Sequence, residues 1–232
     1  MERLMKELVK IHLHHFFGFR FLLIVFISMF IQNAIYFIMA REAYDNLIYF
    51  QTSFPITKII ATLLATFCFG FYFNIDHDSY AYLILPSLIS RKKYLFSKML
   101  VFYSFFLCYI VVSLLSFLIA GYFMQPRFYW MDSYILFFHL FHVTLIYGLY
   151  TTLFFHFIKN PFVMIFVFFL FIIGNNFTIQ SKNKIVSVFL FLFPNGELYF
   201  ESFFLLFLYD IWLIILLIGV ILFIYKKIDI QI

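Results

Sequence analysis

Long apolar runs separated by short polar segments dominate the chain. A run of about twenty apolar residues is long enough to cross a hydrocarbon core of about 30 Å as an α-helix. The runs are apolar throughout instead of alternating with polar positions, which favours helices over the strands of a membrane barrel. The pattern therefore predicts an all-α integral membrane protein with a single transmembrane domain over residues 1–232. Its six predicted transmembrane helices are residues 21–40, 54–74, 99–121, 133–157, 162–177 and 203–225.

The polar segments near the N-terminus predict two further features. In residues 1–20, Arg3, Lys6 and Lys10 recur at helical spacing opposite an apolar side, which is typical of an amphipathic helix in the membrane interface. A solvated N-terminal helix is the alternative. Residues 41–53 are predicted to be a polar loop, with Pro55 in the first turn of the second span.

Residues 178–200 lie between the fifth and sixth predicted spans. Their apolar stretch, 185–193, is flanked by the polar groups 181–184 and 194–197. This stretch is too short to cross the bilayer, so we expect short external re-entrant helices whose backbone is shielded by protein.

The distribution of Lys and Arg predicts the orientation of the spans. The basic segment 85–100 contains Arg91, Lys92, Lys93 and Lys98 between two apolar runs. Cationic clusters are preferentially retained on the cytoplasmic side, so this segment is predicted to be inside. With that orientation eleven Lys and Arg residues are inside and four are outside, and both termini are predicted to be cytoplasmic.

Composition narrows the class of protein further. The chain is 66% hydrophobic and 12% charged, which is too apolar for a soluble domain of this length. Its net charge of +5 comes from cations at the ends of spans, so we interpret it as topology and contact with lipid head groups. No nucleic-acid partner is predicted. Cys68 and Cys108 lie in apolar runs and are predicted to be small buried hydrophobic residues that form no disulfide.

Ionisable groups at membrane depth are costly, and each is a candidate for function. His139 and His142 share one face of the fourth span, where they could form interhelical hydrogen bonds, line a wet cavity, contact substrate or bind a metal. Asp210 in the sixth span could be neutral or hydrogen-bonded near residues 178–200. Alternatively, it could line a polar path opposite Asn175 and Asn176 of the fifth span. These residues form the candidate translocation path.

The sequence lacks the common catalytic and nucleotide-binding motifs. G-x-S-x-G, H-E-x-x-H and G-x-x-x-x-G-K-[ST] do not occur. We therefore predict no cofactor or metal in this chain, and ATP could drive the protein only through a separate polypeptide.

Three stretches carry a resemblance to a known family. They are LPSLISRKKY at 85–94 followed by Lys98, the predicted re-entrant region 178–200, and the C-terminal YKKIDI at 225–230. With the six-span pattern, they resemble the membrane subunits of ABC-2-type ABC transporters. Ser97 departs from the glycine that is common before the lysine. The small size and high hydrophobicity are similar to permeases that export amphipathic peptides such as phenol-soluble modulins, or that confer immunity to bacteriocins.

The resemblance implies a mechanism and a set of partners. A cytoplasmic coupling helix within segment 76–93 would dock on an ABC ATPase subunit that carries ATP and Mg. The chain would pair with a second copy or a paralogue in the bacterial cytoplasmic membrane and export a peptide. The residues expected at the ATPase interface are Asp76, His77, Asp78, Tyr80, Tyr82, Leu85, Pro86 and Arg91.

Two other functions remain open at this stage. A non-transporting immunity or sensor subunit could have the same topology, because a fold does not determine its function. An intramembrane metal-dependent enzyme could use His139, His142 and Asp210.

Overall fold

The computed structural model describes residues 9–10, 19–43, 46–74, 91–124, 130–158, 160–176, 192 and 203–227, and this part of the chain is helical apart from short turns. The predicted all-α class is confirmed for these residues. The helices are α1 (Phe19–Glu42), α2 (Asn46–Asn74), α3 (Arg91–Met124), α4 (Trp130–Ile158), α5 (Phe162–Asn176) and α6 (Phe203–Lys227).

Five of these helices are long and apolar enough to cross a membrane. The qualifying segments are Leu22–Glu42, Ile48–Gly70, Phe96–Met124, Ser133–Phe155 and Phe207–Ile224. The chain is thus a multi-pass membrane protein. Helix α5 has 15 residues, which corresponds to about 22 Å at 1.5 Å per residue and is less than the hydrocarbon thickness. The six-span arrangement therefore stays a prediction.

The predicted loop 41–53 is wrong, because α2 begins at Asn46 and carries Pro55 inside the helix instead of in its first turn. Tertiary packing explains the difference. Tyr49 is fully buried, stacks on Phe117 of α3 with ring centroids 4.6 Å apart, and donates a hydrogen bond to the Phe117 carbonyl. These contacts hold the first two turns of α2 in the bundle although Gln51, Thr52 and Ser53 are polar.

The third predicted span is also longer than expected. Helix α3 runs continuously from Arg91 through the predicted start at residue 99 and ends at Met124. Ser97 and Lys98 are buried, so the end of the basic segment is part of the packed helix. The cysteine prediction is correct in that both thiols are free, but Cys108 is exposed and only Cys68 is buried.

The turn between α4 and α5 is built by two consecutive residues. The side-chain oxygen of Asn160 accepts a hydrogen bond from the amide of Phe162 at 3.0 Å, and the Asn160 carbonyl accepts one from Val163. Pro161 follows the cap, at the position where its missing N–H costs nothing. The short connection between the predicted spans 133–157 and 162–177 is thus a turn over its described residues Asn160 and Pro161.

Helices α2 and α4 form the centre of the bundle. Helix α4 packs against α2, α3, α5 and α6, whereas α1 packs against α2 and α3. Close approach at the centre uses glycine: a side chain at Gly148 would overlap the ring of Phe69, and one at Gly70 would overlap Met164. Because lipid is as apolar as the helices, this packing and buried hydrogen bonds hold the helices together.

The outer helices present large apolar side chains away from the bundle. Phe26 of α1 is 75% exposed and Ile215 of α6 is 64% exposed. Such faces are suited to lipid tails. Three predicted features lie largely outside the described residues: the interfacial helix 1–20, the coupling segment 76–93 and the re-entrant region 178–200.

Candidate functional site

Two polar clusters lie inside the bundle, and they differ in how well their hydrogen-bonding groups are satisfied. One joins α4 to α6 through His139 and Asp210. The other joins α1, α2 and α3 around Gln32. An unsatisfied buried group is costly, so this difference separates a candidate site from a structural contact.

His139 and Asp210 form a buried pair. The imidazole Nδ1 and the carboxylate Oδ2 are 2.7 Å apart, and the two side chains are 2% and 1% exposed. The helices bring together residues that are 71 positions apart in the chain. The predicted interhelical hydrogen bond of the fourth span is therefore present, and its partner is Asp210 of α6.

Each member of this pair also has a polar atom without a partner among the described groups. His139 Nε2 and Asp210 Oδ1 are both buried and make no hydrogen bond. Other unsatisfied atoms, including those of Ser53 and Thr62, are hydroxyls. A serine or threonine hydroxyl in a helix can rotate to donate to a preceding carbonyl, whereas a carboxylate oxygen can only accept. Asp210 therefore cannot be satisfied by its own helix.

His142 lies on the same face of α4 and completes the cluster. Its Nδ1 is 2.8 Å from the carbonyl of Phe138, so Nδ1 carries the hydrogen of this bond. Its ring contacts those of Phe138 and Phe207 with centroids 4.6 and 5.5 Å away. It lies three residues from His139, just under one helical turn away. We call His139, His142 and Asp210 the α4–α6 cluster.

The α1–α3 cluster is built around the side-chain amide of Gln32. Gln32 Nε2 donates to the phenol oxygen of Tyr36 at 2.6 Å, and Oε1 accepts from Tyr109 and Ser113 at 2.8 and 3.1 Å. The Tyr36 phenol and the Thr57 hydroxyl of α2 are hydrogen-bonded at 2.8 Å. Every polar atom of the amide has a partner, so this cluster is a structural junction of three helices.

The sequence prediction missed the Gln32 junction. The available signal was a single amide in the middle of an apolar run, since a polar residue at membrane depth is usually hydrogen-bonded to another helix. Its partners could not be identified from sequence, because tyrosine, serine and threonine occur throughout the spans.

The other predicted site residues are not joined to the α4–α6 cluster by any described contact. Asn175 and Asn176 end α5, but their side chains lie outside the described residues, as do Asp76, His77, Asp78, Tyr80, Tyr82, Leu85 and Pro86. Arg91 begins α3. Leu192, within the predicted re-entrant region, accepts a hydrogen bond through its carbonyl from Tyr150 in the last third of α4.

An open apolar groove lies beside the α4–α6 cluster, between α3 and α4. It has a volume of about 350 Å³, and Phe138 lines it while also touching the ring of His142. The remaining lining residues are apolar or aromatic: Leu107, Ile110, Val111, Leu114, Tyr134, Ile135, Phe137 and Phe141. Only the side chain of Phe138 would separate an apolar chain in this groove from the α4–α6 cluster.

The arrangement can bind and orient a polar group, but it does not resemble a metal centre. Among the residues that the structure describes, no group of three or more His, Cys, Asp or Glu side chains is arranged to hold a metal ion. Comparisons of the chain with family models, with curated proteins and with solved structures find no match.

Proposed function

We propose that this chain is the membrane-spanning subunit of an ATP-driven exporter, and that a separate cytoplasmic ATPase of the ABC type powers it. The cargo is an amphipathic or hydrophobic peptide, and a second copy or a related chain completes the translocation path. The resemblance of segments 85–98 and 225–230 to ABC-2-type permeases motivates the proposal.

The length and position of α3 carry this proposal. The helix has 34 residues, or about 51 Å, which exceeds a hydrocarbon core of about 30 Å. Its first turn is Arg91-Lys92-Lys93, and its apolar stretch begins only at Phe96. A force applied to the segment that precedes Arg91 would therefore act on a continuous helix that packs against α1 and α4.

Segment 76–90 connects two helices of the bundle, which supports the same proposal. The segment directly follows α2, which is central to the packing, and directly precedes α3. Docking of an ATPase on this segment would move two helices of the bundle together. Such rigid-body motion is a common means of coupling a nucleotide-driven change to a distant site.

The groove between α3 and α4 supports an apolar or amphipathic cargo. Its lining is almost entirely apolar, so it offers contact area without directional hydrogen bonds. A peptide whose apolar face already lies in the bilayer could reach such a groove laterally. Movement of α3 would change the width of the groove, because α3 forms one of its walls.

The test is co-purification of ATPase activity with the tagged chain from its native membrane. We expect vanadate-sensitive ATP hydrolysis in the eluate of the unaltered chain. We expect its loss when Arg91→Glu and Lys92→Glu are combined, because these changes reverse the charge next to the docking segment. The matched control combines Lys182→Glu and Lys184→Glu, an equal charge reversal in a segment predicted to be external.

Two results would contradict the proposal. One is an eluate of the unaltered chain that lacks ATPase activity. The other is equal loss of activity in the two charge-reversed variants. If an ATPase co-purifies, ATP-dependent accumulation of an amphipathic peptide in inverted vesicles is the next measurement, and its absence would identify a non-transporting immunity or sensor subunit instead.

A further inference from the structure

The α4–α6 cluster contains buried polar atoms without a hydrogen-bond partner, and these atoms share one role in hydrogen bonding. A carboxylate oxygen accepts and does not donate, so Nδ1 of His139 carries the hydrogen in its bond to Asp210 Oδ2. In the neutral imidazole, Nε2 of His139 is then an acceptor. With His139 neutral, the two unsatisfied atoms, Nε2 and Asp210 Oδ1, are both acceptors.

His142 adds a third acceptor. The Phe138 carbonyl can only accept, so the hydrogen lies on Nδ1 of His142 and Nε2 is the acceptor of the neutral ring. The aromatic rings of Phe138 and Phe207 contact the same imidazole. Faces of aromatic rings attract cations. The cluster thus combines acceptors, a carboxylate and aromatic surface.

We propose that His139, His142 and Asp210 form a binding site for a primary ammonium group, such as that of a lysine side chain or of an alkylamine. An ammonium group has three N–H donors and one positive charge, which match the acceptors and the carboxylate. The proposal rests on the proposed function, to which it adds that the amphipathic cargo is cationic.

The site is closed in this structure, and α6 is the element that would open it. His139 and Asp210 are almost fully buried, so the ligand needs a path between α4 and α6. Helix α6 contacts chiefly α4 and α3, and Trp212 and Ile215 on it are about half exposed or more. Displacement of α6 would therefore admit an ammonium group between Asp210 of α6 and the histidines of α4 without separating the central helices α2 and α4.

Among the described residues, no other charged side chain supplies the hydrogen-bond donors that these acceptors lack. On α2, Lys58 is buried, and it does not donate to Asp210 Oδ1 or His139 Nε2, which have no hydrogen-bond partner. From α3, the side chains that face this part of α4 in the groove are apolar. The described part of α5 contains no ionisable residue.

The experiment measures binding of three probes that share a dodecyl chain to the purified chain in lipid nanodiscs, without ATPase. The probes are dodecylammonium, dodecyltrimethylammonium and dodecanol. Trp212 is two residues from Asp210 and is one of two tryptophans, so a Trp130→Phe background makes its fluorescence the reporter. The signal of interest is a saturable change above the linear effect of partition into lipid.

We expect saturable binding of dodecylammonium, with dodecyltrimethylammonium and dodecanol each at least about tenfold weaker. The trimethylated probe keeps the charge and loses all N–H donors, and dodecanol keeps a donor and loses the charge; one charge-assisted hydrogen bond is worth about tenfold or more. Asp210→Asn should weaken dodecylammonium binding by about tenfold or more. Asp132→Asn, the same change near the start of α4, should leave it unaltered.

A second variant separates loss of the site from loss of the fold. His142→Phe keeps an aromatic ring between Phe138 and Phe207 and removes the Nε2 acceptor together with the Nδ1 bond to the Phe138 carbonyl of the same helix. We expect a native circular dichroism spectrum and weaker dodecylammonium binding. Equal binding of the three probes by the unaltered chain, or purely linear partition, would overturn the proposal. Failure here leaves ATPase co-purification unaffected, and failure of co-purification leaves probe binding unaffected, so the two proposals are tested independently.

Discussion

Replacement of Gln32 by methionine tests whether the α1–α3 cluster holds α1 in the bundle. Methionine has the length and flexibility of glutamine but no hydrogen-bonding amide, so packing is largely preserved. The substitution removes the two bonds from Tyr109 and Ser113 of α3 and leaves the buried Tyr109 hydroxyl without its acceptor. It also removes the donor to Tyr36 on the same helix.

The expected loss of stability can be worked from these bonds. Interhelical hydrogen bonds in a membrane protein contribute about 0.6 kcal/mol on average and up to about 1.7 kcal/mol. Two lost bonds to α3 therefore correspond to about 1–3 kcal/mol, and we expect a decrease of about 2 kcal/mol in the free energy of unfolding. The measurement is equilibrium unfolding by dodecyl sulfate in mixed micelles, followed by circular dichroism.

Two comparisons make this result specific. Ser104→Ala removes a hydroxyl of α3 that bonds only within its own helix, to Leu100, and should cost less than about 0.5 kcal/mol. Tyr109→Phe combined with Gln32→Met should cost clearly less than the sum of the single changes, because both remove the same bond. A Gln32→Met effect no larger than that of Ser104→Ala, or full additivity with Tyr109→Phe, would refute the role assigned to Gln32.

Three further predictions concern packing, the buried pair and the α5 cap. Gly148→Ala should destabilise the fold by about 1–3 kcal/mol because the added carbon overlaps a buried ring, whereas Gly219→Ala, with open space around it, should change unfolding by less than about 0.5 kcal/mol. Asp210→Ala should lower the unfolding free energy by more than Asp210→Asn, because only asparagine keeps a hydrogen-bond acceptor for His139; equal effects would mean that the pair is not closed in solution. Asn160→Ala should cost about 1 kcal/mol and Asn160→Asp much less, since aspartate retains the capping oxygen; hydrogen exchange at the first amides of α5 checks whether the loss is local.

The sequence predicts this fold well where local patterns determine the structure and poorly where contacts between distant residues determine it. The apolar runs predict the helices well, because a span needs about twenty apolar residues to cross the hydrocarbon and must satisfy its own backbone there. The start of α2 was wrong because Pro55 and the polar residues before it indicate a loop by local criteria. The contact of Tyr49 with Phe117, which lies 68 positions away in the chain, overrides them.

The candidate site shows the same limit. His139, His142 and Asp210 could be identified from sequence, since ionisable residues in an apolar run are conspicuous. Their pairing could not, because α4 and α6 are separated by the whole of α5 and residues 177–202, and the packing of α6 on α4 sets the register. Gln32 was missed because an amide is less conspicuous than a charge, although its partners make it the better connected group.

The Gln32 junction also has a consequence for synthesis of the chain. Helix α1 is made first, but Tyr109 and Ser113 follow Gln32 by 77 and 81 residues. At roughly 5–20 residues per second, the ribosome needs about 4–16 s to reach them. During that interval Oε1 of Gln32 lacks its two α3 donors, and an amide in lipid without partners is costly. We therefore expect α1 to stay beside the insertion machinery until α3 emerges, so that the first three helices leave it as a unit.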